Sequence, residues 1–159
     1  MGKAIVLTGS KGDLPHAERI KETLQSFGIE TTLRIASAHK TPEKVLEIIR
    51  EYEEDEVVFI TVAGRSNALS GFVDAQTPRP VIACPPPSDR FGGADIFSSL
   101  RMPSGVAPLV VLEPEAAALA AAKILALKDK ALEERVRKYQ GKRKEEIERA
   151  DEEVRGWVV

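Results

Sequence analysis

The stretch Ala4-Ile5-Val6-Leu7-Thr8-Gly9-Ser10-Lys11-Gly12-Asp13, running on into Leu14 to Phe27, decides the fold. Four apolar residues in a row suit a strand buried on both faces of a parallel sheet, because an unbroken run leaves no polar face for water. The glycine-bearing loop then feeds a helix with Ala17, Ile20, Leu24 and Phe27 at three-to-four spacing, and Gly28 follows as a C-terminal cap. Working outward, the alternation repeats. Apolar runs recur at Thr31 to Ile35, Val57 to Val62, Val81-Ile82-Ala83 and Leu109-Val110-Val111-Leu112, and all but the first of these are nearly continuous. Thr41-Pro42-Glu43 opens a helix with Thr as N-cap and Pro at the first helical position, and its apolar face is Val45, Ile48, Ile49 and Tyr52. Glu113-Pro114-Glu115 opens an alanine-rich helix to about Leu127, with acids at its positive dipole end.

Repeated strand–helix–strand units require right-handed crossovers. The pattern predicts an α/β fold: a three-layer α/β/α sandwich with a mainly parallel, flavodoxin-like sheet and an extra C-terminal helix. Ligands in such folds sit outside the carboxyl ends of the strands, so the loops after Leu7, Ile35, Val62, Ala83 and Leu112 are the places to look. Residues 1–127 read as the catalytic domain. Residues 128–159 read as a charged helical extension with a break expected near Gly141, whose few apolar residues suit either its own domain or, as the preferred reading, a neighbouring subunit. Trp157-Val158-Val159 adds an apolar tip for such docking.

Composition narrows the function. The 159 residues carry 23 Lys+Arg against 25 Asp+Glu, for a net charge of −2, and this excludes the basic excess of a general nucleic-acid binder. One cysteine excludes a disulfide framework and a CxxC zinc site, and no metal ligand cluster of convincing spacing stands in the chain. No run approaches the roughly 18 consecutive apolar residues of a membrane span. The N-terminus enters the first strand without signal-peptide anatomy, so a cytoplasmic protein with no membrane partner is expected.

Three loops carry candidate chemistry. Thr8-Gly9-Ser10-Lys11-Gly12-Asp13 precedes a helix N-terminus, a natural phosphate site, although tight strand-to-helix turns also use glycine for sterics alone. It matches neither GxxxxGK[ST] nor GxGxxG, and Asp13 suits either an N-cap or an acceptor for sugar hydroxyls. Ala36-Ser37-Ala38-His39-Lys40-Thr41-Pro42 gathers a hydroxyl, an imidazole and a cation: Ser37 and Lys40 for a phosphate, His39 for proton transfer near neutral pH. Ala63-Gly64-Arg65-Ser66-Asn67-Ala68-Leu69 offers hydrogen-bonding groups and a fixed cation, or an N-cap beside a surface arginine. Cys84 reads as a small buried residue without an evident partner, and His16 as a surface or capping residue.

Gly9-Ser10-x-x-Asp13, Phe27-Gly28-Ile29 and Ser37-Ala38-His39-Lys40-Thr41-Pro42 together resemble the PurE family of purine biosynthesis over about Ala4 to Leu127. These enzymes carboxylate aminoimidazole ribonucleotide (AIR) or rearrange its N5-carboxy derivative. Lys40 where the mutases have arginine, the block Ala63-Gly64-Arg65-Ser66-Asn67-x-Leu69, Cys84-Pro85-Pro86 and Ser98-Ser99-Leu100-Arg101-x-Pro103-Ser104-Gly105 are similar to the class II carboxylases. The resemblance implies an enzyme that joins AIR and CO2 into 4-carboxy-AIR, reversibly and without ATP, biotin or other cofactor. It implies substrate-binding roles for Ser10, Asp13, Ser37, Lys40, Gly64, Arg65, Ser66 and Asn67, a proton-transfer role for His39, and a homo-oligomer, an octamer by preference. The family usually has serine immediately before the loop aspartate. Gly12 stands here, so a phosphate-contacting hydroxyl is missing and backbone N–H groups take its place. The alternatives are an N5-carboxy-AIR mutase, and a non-catalytic flavodoxin-like nucleotide-binding module, which would keep ligand binding when His39 is replaced.

Overall fold

A computed structural model describes residues 2–157. Five parallel strands, β1 (Lys3–Thr8), β2 (Glu30–Ile35), β3 (Val57–Val62), β4 (Val81–Ala83) and β5 (Leu109–Val110), form one sheet in the order β2-β1-β3-β4-β5. This is the doubly wound order in which the chain reverses direction between β1 and β3, opening a crevice at their carboxyl ends. The helices are α1 (Leu14–Ser26), α2 (Pro42–Glu51), α3 (Leu69–Asp74), α4 (Phe97–Leu100), α5 (Pro114–Ala126) and α6 (Lys130–Val154).

The sheet separates two cores. On one face Ala4 and Val6 of β1 and Val58, Ile60 and Val62 of β3 meet Ala17, Ile20 and Leu24 of α1 and the alanines of α5. On the other, Ile5, Leu7 and Phe59 meet Val45, Ile48 and Ile49 of α2 and Leu69 and Val73 of α3. Each large aliphatic side chain so buried contributes about 2 kcal/mol of transfer free energy. The small face of α5, with Ala117, Ala118, Ala121 and Ala122 all fully buried, lets it lie close to the sheet and to α1. There Glu115 receives Arg19 through both guanidinium Nε and Nη2 at 3.0–3.2 Å.

Two expectations fail locally. The run Leu109 to Leu112 yields a strand of two residues, and Leu109 and Leu112 are each 51% exposed, because β5 is a sheet edge and lacks a second covering layer. Gly141 does not break the last helix: α6 is continuous over 25 residues, and a glycine's cost of about 1 kcal/mol is outweighed by the strong helix formers around it. Asp129 caps α6 by accepting the Leu132 N–H at 2.9 Å. Leu132 and Val136 are buried, Tyr139 packs edge-on against Phe27, and Arg135 Nε donates to the Phe27 carbonyl at 2.6 Å, so the first half of α6 lies on its own domain. Beyond it the helix is mostly exposed, with Ile147 at 72%, as is Trp157 past its end at 73%. Val158 and Val159 of the apolar tip lie outside the described residues.

Candidate active site

The loops leaving β1, β2 and β3 meet at the crevice and enclose a cleft of about 810 Å3. After β1, the buried Thr8 Oγ1 donates to the Ser10 carbonyl at 2.6 Å and accepts the Ser10 N–H at 3.2 Å, and Gly9 N–H donates to Val62 O at 2.9 Å. The loop is thereby tied to both β1 and β3. A short 3-10 turn over Lys11–Asp13 then delivers the chain into α1. Ser10 Oγ donates to Asp13 Oδ2 at 3.0 Å, so the hydroxyl and the carboxylate face the cleft as a pair and neither caps α1.

After β2 the loop closes on itself. Thr41 Oγ1 accepts the Ser37 N–H at 2.9 Å, Thr41 N–H donates to Ser37 O at 2.8 Å, and Ser37 Oγ accepts the Lys40 N–H at 3.1 Å. Thr41 occupies the N-cap position of α2, yet its side chain bonds backward to Ser37 and not forward into the helix. This small ring of bonds carries His39 and Lys40, both exposed, on the rim of the cleft. The N-termini of α1 and α2 open toward the same space, an arrangement that favours an anion.

After β3, Gly64, Arg65 and Ser66 line the cleft and Asn67 does not. Asn67 is 5% exposed and turned inward: Nδ2 donates to Ser99 Oγ at 2.9 Å, and Oδ1 accepts the Ser70 N–H at 3.2 Å. It therefore anchors its loop to α4 and to the start of α3. Arg65 has φ of 60°, a left-handed conformation that costs a non-glycine residue about 1 kcal/mol or more, and its N–H donates to Asp95 Oδ2 at 3.3 Å. Gly64 lies under Pro86, whose Cγ would stand 3.4 Å from an added Cβ, at van der Waals contact with the wall.

Eight of the nine residues singled out from the sequence thus face one cavity. The remaining wall of the cleft comes from residues to which the sequence reading assigned no role. It consists of Pro86, Pro87, Ser88, Asp89 and Arg90 after β4, together with Asp95. The rule that ligands sit at strand carboxyl ends had pointed to the loop after Ala83, and the polar run Ser88-Asp89-Arg90 was its available signal. Asp95 gave none, because it arrives through a turn in which Phe91, Gly92 and Gly93 all take positive φ of 51°, 61° and 79°. The wall brings Arg90 into the cleft as a third cation besides Lys40 and Arg65, and adds the carboxylates of Asp89 and Asp95 to that of Asp13.

Behind the proline wall lies a smaller cavity of about 280 Å3, lined by His16, Arg19, Pro85, Ile96, Leu112 and Glu113 among others. His16 is half-buried here, neither a surface nor a capping residue, and its Nε2 stands 3.4 Å from Cys84 Sγ. Burial, with Arg19 nearby, pushes the His16 imidazole below its usual range. Burial, reinforced by Glu113 and Glu115, pushes the Cys84 thiol up to about 12. Cys84 is buried as expected, and the partner that the sequence did not reveal is His16.

Comparison with known proteins fits this geometry. The AIR carboxylase family model matches residues 3–146. A phosphoribosylaminoimidazole carboxylase of Archaeoglobus fulgidus is 65% identical over 153 residues, covering 96% of this chain and 85% of the relative. The human bifunctional phosphoribosylaminoimidazole carboxylase/phosphoribosylaminoimidazole succinocarboxamide synthetase is 47% identical over 127 residues, 79% of this chain but 30% of the human one. The crystal structure of Treponema denticola PurE superimposes with a TM-score of 0.95 at 51% identity, covering 97% of this chain and 99% of the other. With the family model spanning most of its length and both carboxylase relatives matching it closely, this chain belongs to the AIR carboxylase family.

Proposed function

We propose that the protein carboxylates AIR with CO2 to give 4-carboxy-AIR in purine biosynthesis, reversibly and without ATP, biotin or another cofactor. The observation that carries this reading is the single cleft into which the loops after β1, β2 and β3 bring Ser10, Asp13, Ser37, His39, Lys40 and Gly64 to Ser66. The relatives named phosphoribosylaminoimidazole carboxylase support it.

The chemistry follows from the substrate. Carbon 4 of AIR is an enamine carbon and attacks the carbon of CO2 directly; a C–C bond forms and one C=O electron pair moves onto oxygen as carboxylate. Carbon 4 is then tetrahedral and still carries its hydrogen. His39 removes that proton and the ring regains aromaticity; in the reverse direction the same imidazolium returns it. The nucleotide phosphate sits between Ser37, Lys40 and the helix N-termini, and the ribose hydroxyls meet the Ser10–Asp13 pair. Gly64, Arg65 and Ser66 receive the nascent carboxylate as an oxyanion-type site. Asn67, directed inward, serves this loop through its shape. CO2 offers little polarity to grip, so the remaining task is positioning.

The protein works as a homo-oligomer in this reading, an octamer by preference, with residues 128–159 reaching a neighbouring subunit. The exposed outer half of α6 with Ile147, and Trp157 just beyond it, support that role.

The test uses purified protein and AIR without ATP, with and without bicarbonate and carbonic anhydrase, beside N5-carboxy-AIR in CO2-stripped buffer. Product from AIR that scales with CO2 is expected. Product from N5-carboxy-AIR alone would overturn the carboxylase assignment in favour of a mutase. His39→Asn is expected to lower turnover about 10²- to 10⁴-fold while AIR still binds. Unchanged turnover would remove His39 from the mechanism.

A further inference from the structure

The loop after β3 holds an unfavourable backbone conformation at the centre of the site, and its restraints come from one short segment. Arg65 is left-handed without being glycine. Its N–H donates to Asp95 Oδ2 at 3.3 Å, across 30 positions of sequence. Ser98 Oγ lies 3.3 Å from the Arg65 carbonyl and 2.8 Å from the Asp95 carbonyl, and it accepts the Asn67 N–H at 3.0 Å. Ser99 receives the Asn67 side chain. Asp95, Ser98 and Ser99 therefore grip the loop at Arg65 and Asn67, on either side of Ser66. Ser98 and Ser99 fix the Arg65 carbonyl and Asn67, the part of the loop that follows the Arg65 N–Cα bond. The Arg65 N–H is the group that would rotate away if φ returned to the negative region, and Asp95 is its partner.

We propose that Asp95 is a positioning residue for the reaction: by accepting the Arg65 N–H it keeps residue 65 left-handed, and so keeps Gly64, Arg65 and Ser66 turned toward the reacting carbon. This rests on the AIR carboxylase reading. The phosphate and ribose groups come from the loops after β1 and β2, which Asp95 does not touch, so its loss separates positioning from binding.

The experiment compares Asp95→Ala and Asp95→Asn with the unsubstituted protein, whose turnover of AIR with CO2 is measured first. Failure of the activity reading would then appear in the parent and not in the variants. Asp95→Ala is expected to lower kcat on the order of 10²-fold with little change in KM for AIR, the scale of a small misplacement of reacting groups. Asp95→Asn keeps an acceptor oxygen and recovers most of that loss, with the pH profile of kcat unchanged. Hydrogen–deuterium exchange over residues 63–69, read without substrate, is expected to quicken in Asp95→Ala and not in Asp95→Asn. Equal losses in the two variants, a shifted pH profile in Asp95→Asn, a loss confined to KM, or unchanged exchange in Asp95→Ala would each overturn the proposal.

Discussion

Cys84 Sγ stands 3.4 Å from His16 Nε2, joining two residues 68 positions apart beneath the smaller cavity. The thiol is fully buried and is pushed up to about 12, so it stays protonated at neutral pH and reacts slowly with alkylating reagents. The unfolded thiol ionises near its ordinary value of about 8.5. Between that value and the folded one, the unfolded chain has lost a proton that the folded chain keeps. Stability contributed by Cys84 is therefore complete below about pH 8.5 and falls by about 1.4 kcal/mol per pH unit above it. Urea unfolding at pH 8 and pH 10.5 is expected to show a loss in the native protein larger by about 2.5 kcal/mol than in Cys84→Ala. Equal losses would mean that the thiol ionises in the folded state.

Gly12 is the position at which the first loop departs from the family pattern, and the structure has room for the missing side chain. An added Cβ would meet only Ser10 Oγ, at an ordinary 3.7 Å. Gly12→Ser is expected to fold normally and to lower KM for AIR by up to about tenfold, the worth of one hydrogen bond to a charged group. Steady-state kinetics together with a melting curve check both parts. A lower Tm with unchanged KM would show that the hydroxyl finds no phosphate.

Thr61 is the last residue but one of β3, fully buried, and its Oγ1 has no hydrogen-bond partner among the described residues. Burying an unpaired hydroxyl costs about 1–3 kcal/mol. Thr61→Val keeps the shape and removes the orphan, so unfolding free energy is expected to rise by about 1 kcal/mol with kcat unchanged. A decrease measured by chemical denaturation would point to an internal water bonded to Thr61.

Gly141 sits inside α6 with nothing within 4 Å of the place an added Cβ would take. Gly141→Ala is expected to stabilise the protein by about 0.5–1 kcal/mol through reduced freedom of the unfolded chain. Thermal unfolding followed at 222 nm reads this directly. Destabilisation, together with a change in oligomer size, would mean that a neighbouring subunit fills that space.

How far the sequence could be read depended on how local each cause was. Ala4 to Leu7 and Val57 to Val62 are legible as central strands because burial on both faces writes an unbroken apolar run. Leu109 to Leu112 carries the same signature and forms only a stub, because the sheet ends at β5 and no neighbour covers it. Ser10, Ser37, His39 and Lys40 are legible because strand, loop and helix start follow one another along the chain. Asn67 shows the limit. A polar residue in a ligand-side loop reads the same whether it faces solvent or turns inward, and here the deciding partner, Ser99, is 32 positions away. Asp95 reaches the cleft through a left-handed turn that no local pattern announces.

At the other end of the sheet the strands begin, and there the chain is fastened by bonds that involve no cleft residue. Lys3 N–H donates to Glu56 O at 2.8 Å, Phe59 N–H donates to Pro80 O at 3.0 Å, and Lys128 pairs with Glu56 at 2.8 Å. A parallel sheet thus divides its margins between two kinds of selection. Changes at the strand-entry end act first on folding, whereas changes at the exit end act first on chemistry.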